Sequence, residues 1–173
     1  MTTVIRPLSS SQLENNVSIL ADLLIDVVHG GASMGFHAPL AHEEARAYWL
    51  SLRRELQAGT RLLLVAHHDG CIVGSGQLAL PTWPNARHRA ELQKLCVAKA
   101  MQGRGLGKVL VAALHDAARD RGRSLILLGA RRGGRAERFY RALGYREIGV
   151  IPGYALGTAG ERLDNVSFYQ ELG

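Results

Sequence analysis

The sequence predicts an α/β (α+β) fold in which a mixed central sheet of about seven strands carries helices on both faces. Apolar residues switch between a period of two and a period of about 3.6, which predicts the element order β-αα-βββ-α-β-α-ββ. The short segment 125–128 is wholly apolar, as is typical of a strand covered on both sides. The chain has 173 residues, 47% of them apolar, and contains no repeat or linker, so we expect one domain over residues 1–173.

The first third of the chain predicts one strand and two helices. Residues 3–8 form a short strand, and the serines at 9–11 cap a helix whose apolar residues recur to position 28. Residues 30–39 are rich in glycine and small side chains and predict a loop. Residues 41–57 predict a second helix, which ends at Gly59.

The rest of the chain alternates between strands and helices, with turn residues between them. In order, the predicted elements are strands over 61–66, 72–80 and 89–97, an amphipathic helix over 105–121, a strand over 125–128, a helix over 135–143, and strands over 146–151 and 166–170.

Composition excludes several classes of protein. No run approaches the roughly 18 apolar residues that a membrane span needs, and the N-terminal residues lack a basic region followed by an apolar one. We therefore expect no membrane partner and a cytoplasmic location. Cys71 and Cys96 are too few for a disulfide framework, and neither they nor the histidines have metal-ligand spacing, so no metal site is predicted.

The charge of the chain is basic. The formal net charge is +6, and nine arginines lie within residues 119–146. A basic surface attracts polyanions such as nucleic acid, anionic membranes and phosphorylated cofactors, although it can also simply face water. The sequence leaves open whether this stretch has a partner.

A glycine-rich segment between a predicted strand and a predicted helix indicates an anion site. Glycines let several backbone N–H groups point at one anion, the start of the helix adds partial positive charge, and Arg and Lys add full charges. A nucleotide-binding Walker A loop would need Ser or Thr at position 109, and a dinucleotide fingerprint would need Gly at 108; neither is present. The segment predicts a pyrophosphate cradle, formed by Gln102, Gly103, Arg104, Gly105, Leu106, Gly107 and Lys108.

Two motifs resemble one family. Gln102, Gly105 and Gly107 match the pattern Q/R-x-x-G-x-G/A, which resembles the pyrophosphate loop of the GNAT acetyltransferases, and FYRALGY at 139–145 resembles their FYxxxGF segment. The predicted element order also resembles the GNAT fold over nearly the whole chain. Segments 28–36, 89–95 and 152–154 further resemble the tabtoxin-resistance branch of the family, which acetylates a β-lactam amino-acid toxin.

The resemblance implies an acyltransferase that uses acetyl-CoA as co-substrate and no metal. A small-molecule amine would attack the thioester directly, in a monomer or a homodimer, with toxin or antibiotic detoxification as the role. Leu95, Cys96 and Val97 would line the pantetheine arm, and residues 102–108 would hold the pyrophosphate. Arg135, where the family often has asparagine, would reach the 3′-phosphate or face water.

Two residues are candidates for proton transfer. Tyr140 is the candidate general acid for the leaving thiolate, because a phenol with a pKa of about 10 is protonated at neutral pH. Glu91 is the candidate base for the amine, which requires burial of its carboxylate; a solvated glutamate or one paired with a neighbouring cation is the alternative. Gly129 stands where the toxin-resistance branch has an aspartate, which puts the toxin itself in doubt as the substrate. Cys96 is not expected to act as a nucleophile, since nothing near it in the sequence would lower its pKa.

The acceptor pocket is expected at the loop between the first two helices. Candidate substrate-binding residues are His29, Phe36 and Trp49, together with Tyr154 after Pro152-Gly153. For each of them a structural role, in the core or in water, is the alternative. The sequence does not identify the acceptor.

Two other functions compete with an enzyme. A GNAT domain that binds acetyl-CoA without turnover, as a sensor, is compatible with Gly129. A basic nucleic-acid-binding protein is compatible with the arginines, but an aromatic content of 6% and the lack of a nucleic-acid-binding motif argue against it, so no nucleic-acid partner is expected.

Overall fold

A computed structural model, which describes residues 3–173, contains one seven-stranded mixed sheet with helices on both faces, and this confirms the predicted fold. The strands are β1 (Thr3–Pro7), β2 (Arg61–His68), β3 (Cys71–Ala79), β4 (Arg89–Val97), β5 (Leu125–Arg131), β6 (Arg146–Leu156) and β7 (Arg162–Glu171). The helices are α1 (Ser10–His29), α2 (His42–Ser51), α3 (Arg53–Ala58), α4 (Leu106–Arg119) and α5 (Arg135–Ala142). The strand order is β1-β2-β3-β4-β5-β7-β6, and only the β4–β5 pair is parallel.

The sheet separates two apolar cores. Alternate residues of a strand point to opposite faces, so Leu63 and Val65 of β2 pack with the buried residues of α1 and α2, while Leu62 and Leu64 pack with those of α4 and α5. The sheet is therefore covered on both sides at β2. In β5 only one face is fully buried, with Ile126 and Leu128, while Leu125 and Leu127 are half-buried, so the wholly apolar segment 125–128 is covered less evenly than predicted.

The first helix begins and ends as the sequence predicts. Ser9 is its N-cap, and Ser9 and Gln12 form a capping box in which each side chain pairs with the other residue's backbone N–H. With 20 residues α1 is the longest of the helices. Within residues 3–173, no helix combines the length and the apolar character that crossing a membrane would require.

The prediction of a single helix over 41–57 is wrong. The chain forms α2 and α3, which meet at Leu52. Leu52 is buried in the core beside α1, and Glu55 of α3 pairs with Arg61 at the start of β2. Both pieces have helical periodicity, so the sequence pattern does not reveal the interruption at Leu52.

The C-terminal strands are longer than predicted. β5 extends to Arg131, so Gly129 lies inside the strand, paired with Ser167 of β7, and does not end it. β6 and β7 form a long hairpin at one edge of the sheet, with a register shift between Ile151 and Ala155. Many β6 side chains are exposed, which is why the apolar pattern underestimates its length.

Candidate active site

The centre of the sheet opens where its two parallel strands separate. β4 and β5 are paired over residues 89–91 and 125–127, but β4 continues to Val97 and β5 to Arg131 without further pairing between them. The backbone of β4 beyond this point is therefore free on the side facing β5. Leu95 and Val97, which the sequence assigned to the pantetheine arm, are half-buried along this opening.

A bulge in β4 lies at the start of the opening. The register with β3 changes from Gln77 opposite Gln93 to Ser75 opposite Cys96, so β4 has one residue more than β3 over this stretch. Lys94, within the bulge, has a left-handed φ of +48°. A bulge bends its strand and changes the direction of the neighbouring side chains, so the extra residue accounts for the divergence of β4 from β5.

The glycine loop leads into α4 with five consecutive unpaired backbone N–H groups. Within the described residues, amides 103–107 donate no backbone hydrogen bond, and the first helical bonds run from Lys108 and Val109 to the carbonyl of Gly105. Gly103 and Gly105 have φ angles of +77° and +82°, a region that glycine adopts without strain. Free amides at the start of a helix form an anion-binding site, so this geometry fits the pyrophosphate of a coenzyme A-type ligand.

Charged and polar side chains surround the loop. The Gln102 amide donates to the carbonyl of Val97 over 2.9 Å and accepts a hydrogen bond from the guanidinium of Arg135, the first residue of α5. Arg104 and Lys108 are exposed beside the free amides. The loop is thus tied to β4 and α5, and three cations lie in or next to it.

Tyr140 and Phe139 connect α5 to this loop. Phe139 lies over the first turn of α4, where a Cβ on Gly107 would come within 3.3 Å of its ring. Tyr140 is only 6% exposed, and its ring packs edge-on against Phe139 and Tyr145. Burial, helped by the nearby Cys96 thiol, raises the pKa of Tyr140 well above its ordinary value, so the phenol stays protonated at neutral pH. Among the described residues its hydroxyl has no hydrogen-bond partner.

Cys96 is buried in the strand that carries the bulge. Burial raises the pKa of its thiol to about 12, while the neighbouring Ser75 hydroxyl and the charge of Lys94 lower it. A thiol in this state is a poor nucleophile, in line with the sequence analysis. In residues 3–173, no group of three or more His, Cys, Asp or Glu side chains could hold a metal ion.

Glu91 does not have the environment that the sequence argument required. Its residue lies on β4 between Ala79 of β3 and Leu127 of β5, and its side chain is exposed. The expected burial of the carboxylate is therefore absent from this structure. Glu91 lies just before the point where β4 and β5 separate, where a carboxylate can reach a reacting amine through water.

The structure separates the candidate acceptor residues. Trp49 belongs to α2 and is fully buried in the core that α1 and α2 share, so its side chain is not accessible to a substrate. His29 accepts a hydrogen bond from the backbone N–H of Leu40 over 3.0 Å and so fixes the loop between α1 and α2. Phe36 lies half-buried in that loop, and Tyr154 is 63% exposed on β6. The hydrogen bond between the His37 ring and the carbonyl of Leu156 joins the loop to β6.

Sequence analysis missed the residues next to Phe36. The centres of the Tyr48 and Phe36 rings are 5.3 Å apart. The Lys94 ammonium lies 5.6 Å from the centre of the Tyr48 ring and 5.9 Å from the centre of the Phe36 ring. The Tyr48 hydroxyl is hydrogen bonded to Gln77, which is fully buried. A buried glutamine in an apolar strand is a signal that could have indicated this site.

Strands that separate, a row of free amides before a helix and an enclosed tyrosine are thus found together at the centre of the sheet. The family model for the acetyltransferase (GNAT) family matches residues 33–145. The chain belongs to the acetyltransferase (GNAT) family.

Relatives of known sequence agree with this assignment. An uncharacterized N-acetyltransferase in the hisH-hisA intergenic region of Azospirillum brasilense is 34% identical over 114 residues, which cover 65% of this chain and 66% of that protein. The protein YyaT of Bacillus subtilis is 28% identical over 83 residues, which cover 48% of this chain and 51% of YyaT. The matches therefore span between half and two thirds of the length of these relatives.

Solved structures share the fold along the whole chain. An N-acetyltransferase from Staphylococcus aureus has a TM-score of 0.78 at 17% identity and covers all of both chains. The Salmonella typhimurium protein yncA, solved with its cofactor acetyl-CoA, has a TM-score of 0.75 at 21% identity, over all of this chain and 95% of its own. A ribosomal-protein-alanine N-acetyltransferase from Brucella melitensis has a TM-score of 0.74 at 25% identity, over 98% of this chain and 99% of its own.

Proposed function

We propose that this chain is an acetyl-CoA-dependent N-acetyltransferase with a small-molecule amine as acceptor, formed by one domain over residues 1–173. The observation that carries the proposal is the row of free amides at 103–107 beside the opening between β4 and β5. Membership of the GNAT family supports it.

The chain's own groups suit the parts of coenzyme A. In the proposal, amides 103–107 bind the pyrophosphate, with Arg104 and Lys108 supplying full positive charges. In the proposal, the β4 backbone at residues 95–97, which has no partner in β5, pairs with the amide-bearing pantetheine arm, beside the Val97 carbonyl that Gln102 already holds. One guanidinium nitrogen of Arg135 donates a hydrogen bond to the Gln102 side chain, and the positive charge of the group attracts the phosphates.

When bound, acetyl-CoA supplies a thioester that an amine can attack directly, so that positioning of the two reactants provides much of the acceleration. Tyr140 gives its proton to the leaving sulfur, because its hydroxyl is unpaired and its raised pKa keeps it protonated. Glu91 is kept as the group that takes the proton of the amine, through water, although its exposed carboxylate lacks the burial that would make it an efficient base.

The acceptor is proposed to be a small molecule, with detoxification as the role implied by the resemblance to the tabtoxin resistance protein. Tabtoxin itself is disfavoured by Gly129. The Asn165 amide lies where a side chain at 129 would begin, 2.8 Å from the position of a Cβ, so an aspartate there would displace it. An acidic side chain at position 129 is thus incompatible with the present position of Asn165.

Thermal denaturation with and without acetyl-CoA tests the proposal, with a single-stranded oligonucleotide as a parallel arm. A ligand at about 100 times its Kd stabilises the protein by roughly 2.7 kcal/mol, which for this size raises Tm by about 5–10 °C. We expect that shift with acetyl-CoA alone. No shift with acetyl-CoA, or a salt-sensitive shift with the oligonucleotide alone, would overturn the proposal. Binding without thiol release across a panel of amines would favour the sensor.

A further inference from the structure

The Lys94 ammonium is a half-buried cation with no counter-ion. It forms no ion pair with any carboxylate of residues 3–173, and its immediate neighbours are the rings of Tyr48 and Phe36. The loop between α1 and α2 passes directly over it, since a Cβ on Gly35 would lie 3.4 Å from Nζ. A charge removed from water is costly unless it is paired, and aromatic faces compensate for only part of that cost.

The backbone holds this cation in place by an unusual conformation. Of the described non-glycine residues, Lys94 and Asp69 have positive φ angles. Asp69 lies in the turn between β2 and β3, where such angles are common, but Lys94 lies inside a strand. Backbone strain of this kind persists where the surrounding structure enforces it, and it clusters at functional sites.

The neighbouring polar groups do not neutralise Lys94. Arg61 is a second cation on this face, but it pairs with Glu55 and donates to Gln77 and Gln93. Glu91 acts on Lys94 only as a more distant charge, and desolvation lowers the pKa of the ammonium. The surroundings of Lys94, formed in part by the rings of Phe36 and Tyr48, are therefore electropositive, and the ammonium has no hydrogen bond to another described residue.

We propose that Lys94 binds a carboxylate of the acceptor, so that the substrates are amino acids or other small amines that carry a carboxylate. The inference rests on the proposed acetyltransferase function and names its substrate class. Lys94 lies in the β4 bulge, at the point where β4 diverges from β5, so the cation adjoins the opening between the two strands. An acceptor anchored by Lys94 would present its amine at the opening between β4 and β5.

Binding of a product-like pair tests the proposal without turnover. In the presence of coenzyme A, the Kd of N-acetylglycine is compared with that of N-acetylglycinamide, which has the same shape without the charge, by NMR titration. We expect the wild-type protein to bind the acid about 10–100-fold more tightly, as for a charge-assisted hydrogen bond. Lys94→Met removes this preference, and Lys94→Arg keeps part of it. Lys99→Met, which neutralises an exposed lysine nearby, is the matched control and keeps the full preference.

The outcomes separate the two proposals. Equal binding of acid and amide by the wild-type protein, including no binding of either, overturns the role of Lys94, as does a preference that survives Lys94→Met. A failure to bind coenzyme A instead overturns the acetyltransferase proposal. In turnover, alanine and alaninamide serve as acceptors, and Lys94→Met should raise KM for alanine alone. The ratio of the Kd values for acid and amide can be measured in the wild-type protein and in Lys94→Arg, so the role of Lys94 is tested even if Lys94→Met does not fold.

Discussion

Replacing Tyr140 by Phe removes one oxygen and should separate catalysis from stability. The Tyr140 ring is 6% exposed and its contacts with Phe139 and Tyr145 involve the ring, which phenylalanine retains. Its hydroxyl has no partner among the described residues, so the free energy of unfolding should change by less than about 0.5 kcal/mol. General acid catalysis contributes roughly 10²–10⁴-fold to a rate, and we expect kcat to fall at least about 100-fold.

The assay combines steady-state thiol release with the Kd of acetyl-CoA and urea denaturation. The Kd should stay within about twofold, since the phenol acts on the leaving sulfur and not on the phosphates. Because burial raises the pKa of Tyr140, the hydroxyl remains protonated and the deficit should be constant from about pH 7 to about pH 9.

Tyr145→Phe is the matched control from the same aromatic cluster. Tyr145 is 4% exposed, and its hydroxyl is hydrogen bonded to His115 over 2.6 Å. Its removal leaves the His115 nitrogen without that partner and should cost about 1–3 kcal/mol of stability, with kcat retained. The reasoning is refuted if Tyr140→Phe keeps its kcat, or if both variants lose stability and activity in parallel.

Three further perturbations test the cradle, the core and a buried histidine. Gly105→Glu puts a negative charge at the free amides and should weaken acetyl-CoA binding by about tenfold or more. The control is Gly122→Glu, since Gly122 has a comparable left-handed φ of +67° against +82° for Gly105, so both substitutions introduce similar backbone strain. Gly122→Glu should leave the Kd of acetyl-CoA unchanged. Equal Kd values for both variants would contradict the placement of the pyrophosphate. Trp49→Ala empties a fully buried site and should lower the free energy of unfolding by about 3–5 kcal/mol in urea, whereas Trp49→Phe should cost less because it also removes an indole N–H that has no partner. Burial lowers the pKa of His115, so the unfolded chain binds more protons just below its ordinary pKa of about 6.5, and stability should fall as the pH drops from about 7 to about 5. That slope should be shallower in His115→Gln, and identical slopes would contradict the argument.

Local patterns were sufficient for the fold and for the conformation of the glycine loop. The conformations of Gly103 and Gly105 and the start of α4 depend on residues close together in the chain, so the glycine spacing predicts them directly. The element order follows from apolar periodicity for the same reason. The break at Leu52 could not be predicted, because both α2 and α3 satisfy the helical pattern and only packing separates them.

The proposed acceptor side of the site could be recognised only in the tertiary structure. Phe36, Tyr48 and Lys94 come from a loop, a helix and a strand that are far apart in the chain. Trp49 was the aromatic candidate from α2, yet its neighbour Tyr48 contacts Phe36 and Lys94. Successive residues of a helix point about 100° apart, so the choice between them depends on which side of α2 packs against α1.

The sequence by itself determined the class of protein, because a glycine loop before a helix and an alternating pattern of strands and helices depend on residues that are close together in the chain. The tertiary structure alone decided which side chains face the opening. The bulge at Lys94 depends on the register with β3, and the burial of Tyr140 depends on both α4 and the sheet. The exposure of Glu91 likewise depends on how the neighbouring segments pack around β4. Register, burial and charge compensation depend on contacts between distant segments, and these exist only after the chain has folded.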